Sequence, residues 1–154
     1  MKTRYYRFLF FLLFAGCTVP LLWSQPANAE GKAKIATLLA MADSSLTTAP
    51  DISMGLAERA LAEAEQGQMP DLIADAELIL ARAYMNKGYY NRGLKAGFNA
   101  LRYYESVRDT GAMGEAKHRI STIYLETENE TLAQQYENAS LELLLMDPQK
   151  DTLA

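Results

Sequence analysis

The sequence predicts an all-α fold, in which three antiparallel helix hairpins stack as a repeat array behind an N-terminal leader. Three observations carry this prediction. A short pattern returns after forty residues, Leu80-Ala81-x-x-Tyr84 recurring as Ile120-Ser121-x-x-Tyr124. A companion pattern, Ala57-x-x-Ala60-Leu61, recurs as Gly97-x-x-Ala100-Leu101, again forty residues on. Beyond residue 30 the apolar residues fall at helical spacing, with no convincing strand. Self-similarity at such a period marks a helical array, because one hairpin cannot bury its apolar face alone and must stack on its neighbours.

Taken in order, the chain opens with Lys2, Arg4 and Arg7, an apolar run from Phe8 to Trp23, and the small-residue triplet Ala27-Asn28-Ala29. Basic, apolar and A-x-A segments in that order mark a secretory signal, so residues 1–29 are read as a signal peptide cleaved after Ala29. Two alternatives stay open. An uncleaved anchor is one, since the apolar run is only slightly shorter than the roughly 20 residues of a spanning helix. A lipoprotein is the other, because Leu13-Phe14-Ala15-Gly16-Cys17 resembles a bacterial lipobox with Cys17 as the lipidated residue. The expected location is periplasmic or extracellular, or at a membrane surface through Cys17.

Cys17 is the only cysteine, so a chain beginning at Glu30 has no thiol for disulfides, nucleophilic catalysis or zinc. The sequence carries 15 Lys+Arg and 19 Asp+Glu. Three of the basic residues and none of the acidic ones fall in the leader, which leaves 12 against 19, a net charge of −7. Such a surface repels nucleic-acid phosphates, so nucleic acid is set aside as a partner. Membrane contact is expected only through an uncleaved or lipidated N-terminus.

Residues 30–154 read as six helices. Lys32 to Leu46 places Ile35, Leu38, Leu39 and Ala42 on one face and ends at Thr47-Thr48-Ala49-Pro50. Ile52 to Glu65 follows, with Asp51 or Ser53 as the candidate cap and Gly67 as the stop. Pro70 suits a first helical position, and that helix runs to about Asn86 before Gly88. Asn91 to Arg108, Gly111 or Ala112 to Glu126, and Thr131 to Met146 complete the set, the last stopped before Pro148.

Superposing the hairpins shows small or apolar residues recurring on one stripe of each second helix. They are Ser53, Ala57 and Ala60, then Gly93, Gly97 and Ala100, then Leu132, Tyr136 and Ala139. Small side chains there let helices approach closely, with Tyr84 and Tyr124 placed to fill the remaining space. In this reading the third hairpin loses one residue in its inter-helix turn.

At these residues the chain resembles a tetratricopeptide repeat protein. The resemblance rests on Leu80, Ala81 and Tyr84 in a first helix, Gly88 in the turn, Tyr90 after it, and Gly93 and Ala100 in the second helix. Residues 74–107 are the best copy, residues 114–146 a fair one, and Lys32 to Glu65 has a degenerate first helix. Departures are the missing Trp at the start of the first helix, Gly97 where a large aromatic is expected, and a period of 40 against 34. Longer periods are familiar in bacterial regulatory proteins, and Ser45 to Glu65 resembles the extracytoplasmic input regions of bacterial sensor kinases and regulators. HEAT-like arrays are the second-ranked fold.

The resemblance implies a right-handed superhelix whose concave groove, lined by the first helices, binds protein or peptide. Carried onto this chain, groove positions are Asp75, Leu78, Arg82, Met85 and Asn86, and then Glu115, His118, Thr122, Leu125 and Glu126. The lysine and asparagine clamp of chaperone-binding members is absent. Catalytic, cofactor and metal sites are not expected. His118 is the sole histidine, and Glu115, His118 and Thr122 on one helical face supply too few ligands for a metal. Gly93, Gly97, Gly111 and Gly114 match no phosphate loop and are read as close-packing positions. One member each of Tyr89-Tyr90 and Tyr103-Tyr104 is expected in the core. Asn129 and Asn138 have the form of glycosylation acceptors and are read as accidental.

The expected function is thus an exported, non-enzymatic interaction module. The alternative is a stand-alone or truncated sensory input domain. The last helix ends Leu141-x-Leu143-Leu144-Leu145-Met146, more apolar than the polar cap an array end normally carries, so self-association through it is a further expectation.

Overall fold

A computed structural model of the chain describes residues 24–146, with side chains from residue 29 onward. Cys17, most of the expected leader and Pro148 lie outside the described residues. Six helices follow one another: α1 (Ser24–Ser45), α2 (Pro50–Gln66), α3 (Pro70–Asn86), α4 (Tyr90–Val107), α5 (Thr110–Glu126) and α6 (Glu130–Met146). No described residue is in a strand, and no described helix is long and apolar enough to cross a membrane. The described part of the first helix already runs from Ser24, eight residues ahead of the expected Lys32.

Helix starts recur at forty residues, Pro50 to Tyr90 to Glu130 and Pro70 to Thr110. This corrects the expected stripe of the third hairpin. Ala133 and Ser140, not Leu132, Tyr136 and Ala139, take the places of Gly93 and Ala100, at 5% and 1% exposure. Reading the large Tyr136 as a stripe residue had shifted the register by one, whereas its ring packs on aromatic neighbours instead. The slip lies in the first hairpin. Buried Ile35, Leu39 and Ala42 of α1 match Ala74, Leu78 and Ala81 of α3 at a thirty-nine-residue offset.

Each helix packs on its sequence neighbours, and α1 also packs on α3 and α3 on α5. The three first helices therefore form one continuous inner layer. The backbones of α2, α4 and α6 stay apart, and side chains alone bridge them. Glycine permits close approach: a Cβ at Gly97 would lie 2.9 Å from Ile120 Cγ1 of the next hairpin, and one at Gly93 would lie 3.1 Å from Ile123 Cδ1 of the next hairpin and 3.1 Å from the Ala81 carbonyl of its own. Within the third hairpin, two buried hydroxyls tie the helices together. Ser121 donates to the Ala133 carbonyl at 2.8 Å and Ser140 to the Gly114 carbonyl at 2.7 Å.

Turn chemistry repeats with the same period. Gly88 (φ 75°) and Glu128 (φ 59°) close the first helices of two hairpins, and Gln68 (φ 52°) and Arg108 (φ 58°) close the second helices of two. The N–H groups of Tyr89 and Asn129 return to the carbonyls of Tyr84 and Tyr124 at 2.8 and 2.9 Å, which satisfies the helix ends. Caps depart from expectation at α2, which starts from Ala49 and Pro50 with no side-chain cap. Asp51 instead pairs with Lys87 at 2.7 Å, and Ser53 is buried. Asp109 and Asn129 do cap, accepting from the N–H groups of Ala112 and Leu132 at 3.0 and 3.3 Å.

Candidate functional site: the concave cleft

Where the three first helices adjoin, side chains enclose a shallow cleft of about 250 Å³. Asp43 comes from α1, Asp75, Leu78, Ile79 and Arg82 from α3, and Glu115 from α5. On α3 these positions follow an i, i+3, i+4, i+7 order, so one helical stripe supplies both the apolar floor and two charges. The Arg82 guanidinium reaches across to the Asp43 carboxylate. Glu115 pairs with Arg119 one turn along its own helix at 3.1 Å.

Asp75 is the most perturbed group of the cleft. Burial raises its carboxyl above the ordinary range, and the nearby carboxylates Asp71, Asp109 and Glu115 add to this, while the Tyr104 hydroxyl, donating at 2.9 Å, opposes it. Burial and the Asp75 charge in turn push the Tyr104 phenol upward. The cleft thus offers an apolar floor, carboxylate acceptors and a single paired guanidinium. Such a set can orient a peptide through ion pairs and hydrogen bonds, but it pairs no nucleophile with a base.

Of the ten expected groove residues, the cleft unites Asp75, Leu78, Arg82 and Glu115. Met85 is half-buried, and Asn86 is structural: its Nδ2 donates to the Leu46 carbonyl at 3.1 Å and ties α3 to the α1 turn. His118, Thr122 and Leu125 instead line a larger depression of about 580 Å³ between α5 and α6, with Ser121, Ala133 and Glu137. There His118 Nδ1 lies 2.8 Å from Glu137 Oε2, and Thr122 donates to the His118 carbonyl at 2.9 Å. Glu126 is exposed and lines neither. Asp43 and Ile79 were missed. The forty-residue match carries no signal for Asp43, since α1 is offset by thirty-nine.

The outer face has its own cleft of about 390 Å³ above α3, lined by Leu61, Glu65, Glu77, Tyr84, Arg92, Lys95 and Asn99 among others. Tyr84 is buried there, as expected of a filler. Its hydroxyl donates to Glu58 at 2.8 Å and accepts from Arg92 at 2.9 Å, and the Arg92 guanidinium lies 4.2 Å from the ring centroid. Burial and the Glu58 carboxylate push the Tyr84 phenol up to about 12. Of the tyrosine pairs, Tyr104 is in the core, whereas Tyr89 is exposed and Tyr90 half-buried.

No family model matches this chain, and no curated protein matches it. Among solved structures it is similar to the crystal structure of the TPR domain of Arabidopsis FLU. The TM-score is 0.69 and the identity 18%, over 76% of this chain and 99% of that domain. Three stacked hairpins, an inner layer of first helices and this backbone likeness together give the described residues the tetratricopeptide-repeat fold.

Proposed function

We propose that the chain is an exported, non-enzymatic repeat protein that holds a protein or peptide segment along its concave face. The observation that carries this reading is the cleft to which all three hairpins contribute, each through its first helix. Arrays of this kind present extended surfaces and few enclosed pockets, which suits them to binding. Leu78 and Ile79 offer an apolar seat, and Asp43, Asp75 and Glu115 favour a segment in which an apolar anchor is flanked by Lys or Arg. Export rests on the basic, apolar and A-x-A order of residues 1–29.

Fluorescence anisotropy against a library of short peptides tests the binding reading. Peptides with a cationic residue beside an apolar anchor should bind, and Asp75→Lys should weaken them at least tenfold. Equal binding of acidic and basic peptides, or none at all, would sink it. The intact mass of the protein recovered from the producing cell tests export separately, since a start at Glu30 gives a unique value.

A further inference from the structure

The groove between α2 and α4 differs from the next one by the size of one side chain. Between α4 and α6 the ring of Tyr136 fills the groove, stacked on Tyr124 at 5.7 Å and edge to face with Phe98 at 5.8 Å. Forty residues earlier the same position is Ala96, and a cleft of about 390 Å³ stands above α3 in place of the ring. That volume lies within the roughly 300–1,000 Å³ of small-molecule sites. Lys117 Nζ lies 5.9 Å from the Tyr136 ring centroid, and its counterpart forty residues earlier is Glu77. A body filling the first cleft as Tyr136 fills the second therefore meets a carboxylate.

The two walls of the cleft carry opposite charge. Glu65 comes from α2, Arg92 and Lys95 come from α4, and Glu77 lies on the α3 floor. Arg92 is fixed, with its guanidinium 4.2 Å from the Tyr84 ring centroid and donating to the Tyr84 hydroxyl at 2.9 Å. Among the described residues, Glu65, Glu77 and Lys95 take part in no ion pair. Glu77 is half-buried and accepts from Asn99 Nδ2 at 2.8 Å. Burial raises its carboxyl above the ordinary value, and the Glu65 charge adds to the rise, so two carboxylates act on the same space. A cationic group beside them relieves both the burial cost and the repulsion. An anionic group on the α4 wall meets Lys95 and Arg92, and Leu61, Leu80 and Ala96 supply the apolar surface. Size is limited as well, because the Glu58, Tyr84 and Arg92 set bridges α2 to α4 and bars a continuous chain from running along the groove.

We infer that this outer cleft binds a small zwitterion with an apolar body, of the class of the apolar α-amino acids. Its ammonium lies at Glu65 and Glu77 and its carboxylate at Lys95 and Arg92. The site is independent of the concave cleft, which opens on the opposite side of α3. Because α2 and α4 meet only through side chains, a ligand seated there ties the first hairpin to the second.

Isothermal titration calorimetry of the full chain with L-leucine and L-phenylalanine tests this. At least one of them should bind with a Kd at or below about 1 mM, and should raise the melting temperature. The matching amine, which lacks the carboxylate, and the matching deaminated acid, which lacks the ammonium, should each bind at least about tenfold more weakly. Ala96→Tyr places in the first groove the ring that fills the second, and should abolish binding. Glu77→Gln keeps an acceptor for Asn99 and should weaken binding at least about tenfold. Absence of binding by both amino acids overturns the inference. Equal binding of the amine overturns it in favour of a plain cation site. Affinity retained in Ala96→Tyr, or in Glu77→Gln should the first variant fail to fold, places the ligand elsewhere and overturns it too.

Discussion

Two seams bridge the outer helices of this array, and they occupy equivalent places with opposite chemistry. Between α2 and α4 stand Glu58, Tyr84 and Arg92, joined by hydrogen bonds and an ion pair at 3.4 Å. Forty residues on, between α4 and α6, the same positions hold Phe98, Tyr124 and Leu132. There Tyr136 stacks on Tyr124 at 5.7 Å and meets Phe98 edge to face at 5.8 Å. Ala96, the counterpart of Tyr136, leaves the first seam with room for a polar cleft floored by Glu77 and Asn99. A repeat therefore prescribes backbone placement while leaving the chemistry between outer helices free. The first seam is directional and screened by salt, and the second depends on buried apolar and aromatic area.

The largest expected effect breaks the second seam. Tyr136→Ala removes both aromatic contacts from a half-buried site and should cost about 2–3 kcal/mol in urea denaturation. Equal losses from Tyr136→Ala and Arg92→Ala would show that the seams do not differ in strength. Paired hydroxyl deletions come next. Tyr84→Phe loses a donor to Glu58 and an acceptor for Arg92, at a cost of about 1 kcal/mol. Tyr124 has no hydrogen-bonded hydroxyl among the described residues, so Tyr124→Phe should stay within about 0.5 kcal/mol of wild type. Reversal of that order would remove the polar reading of the first seam.

Acid titration gives a smaller and sharper test. Burial raises the Glu77 carboxyl above its ordinary value of 4.5, with the Asn99 hydrogen bond opposing. An acid raised in the folded state costs stability as pH climbs through the unfolded value towards the folded one. Glu77→Gln keeps an acceptor for Asn99 and escapes that loss. It should melt above wild type at neutral pH, and its advantage should vanish as the medium is acidified below the ordinary carboxylate value. An advantage independent of pH would mean that packing, and not charge burial, sets the difference. Smallest of all, Arg92→Met should reduce the salt dependence of stability by a few tenths of a kcal/mol, since the guanidinium is largely exposed. No change in salt dependence would take the ion pair out of the account.

Six helices and their turns were legible because each rests on local signals: apolar spacing, Gly88, Pro70 and the small residues Gly93, Gly97 and Ala100. The candidate cleft was legible in part. Asp75, Leu78, Arg82 and Glu115 follow from knowing which helices face inward. Asn86 stands outside the cleft and donates to the Leu46 carbonyl, and an exposed amide at a helix end looks the same in sequence whether it faces a groove or a neighbouring turn. His118 was assigned to the groove for a similar reason. Its helix faces inward in the middle of the array, but in the last described hairpin the same position borders the depression between α5 and α6 and meets Glu137.

Period, helix order and the small-residue packing positions of the first two hairpins were determined by the chain alone, because they arise from interactions within a few turns and from a pattern that repeats itself. Tertiary structure decided the register of Ala133 and Ser140, the thirty-nine-residue offset of α1, and the meeting of Asp43 with Arg82. Each depends on how far one hairpin slides on the next, and many side chains settle that sliding jointly. It also decided which apolar residues lie bare. Met41 and Leu141 are apolar like core residues in sequence, yet their place in the first and last described hairpins leaves them half exposed among the described residues.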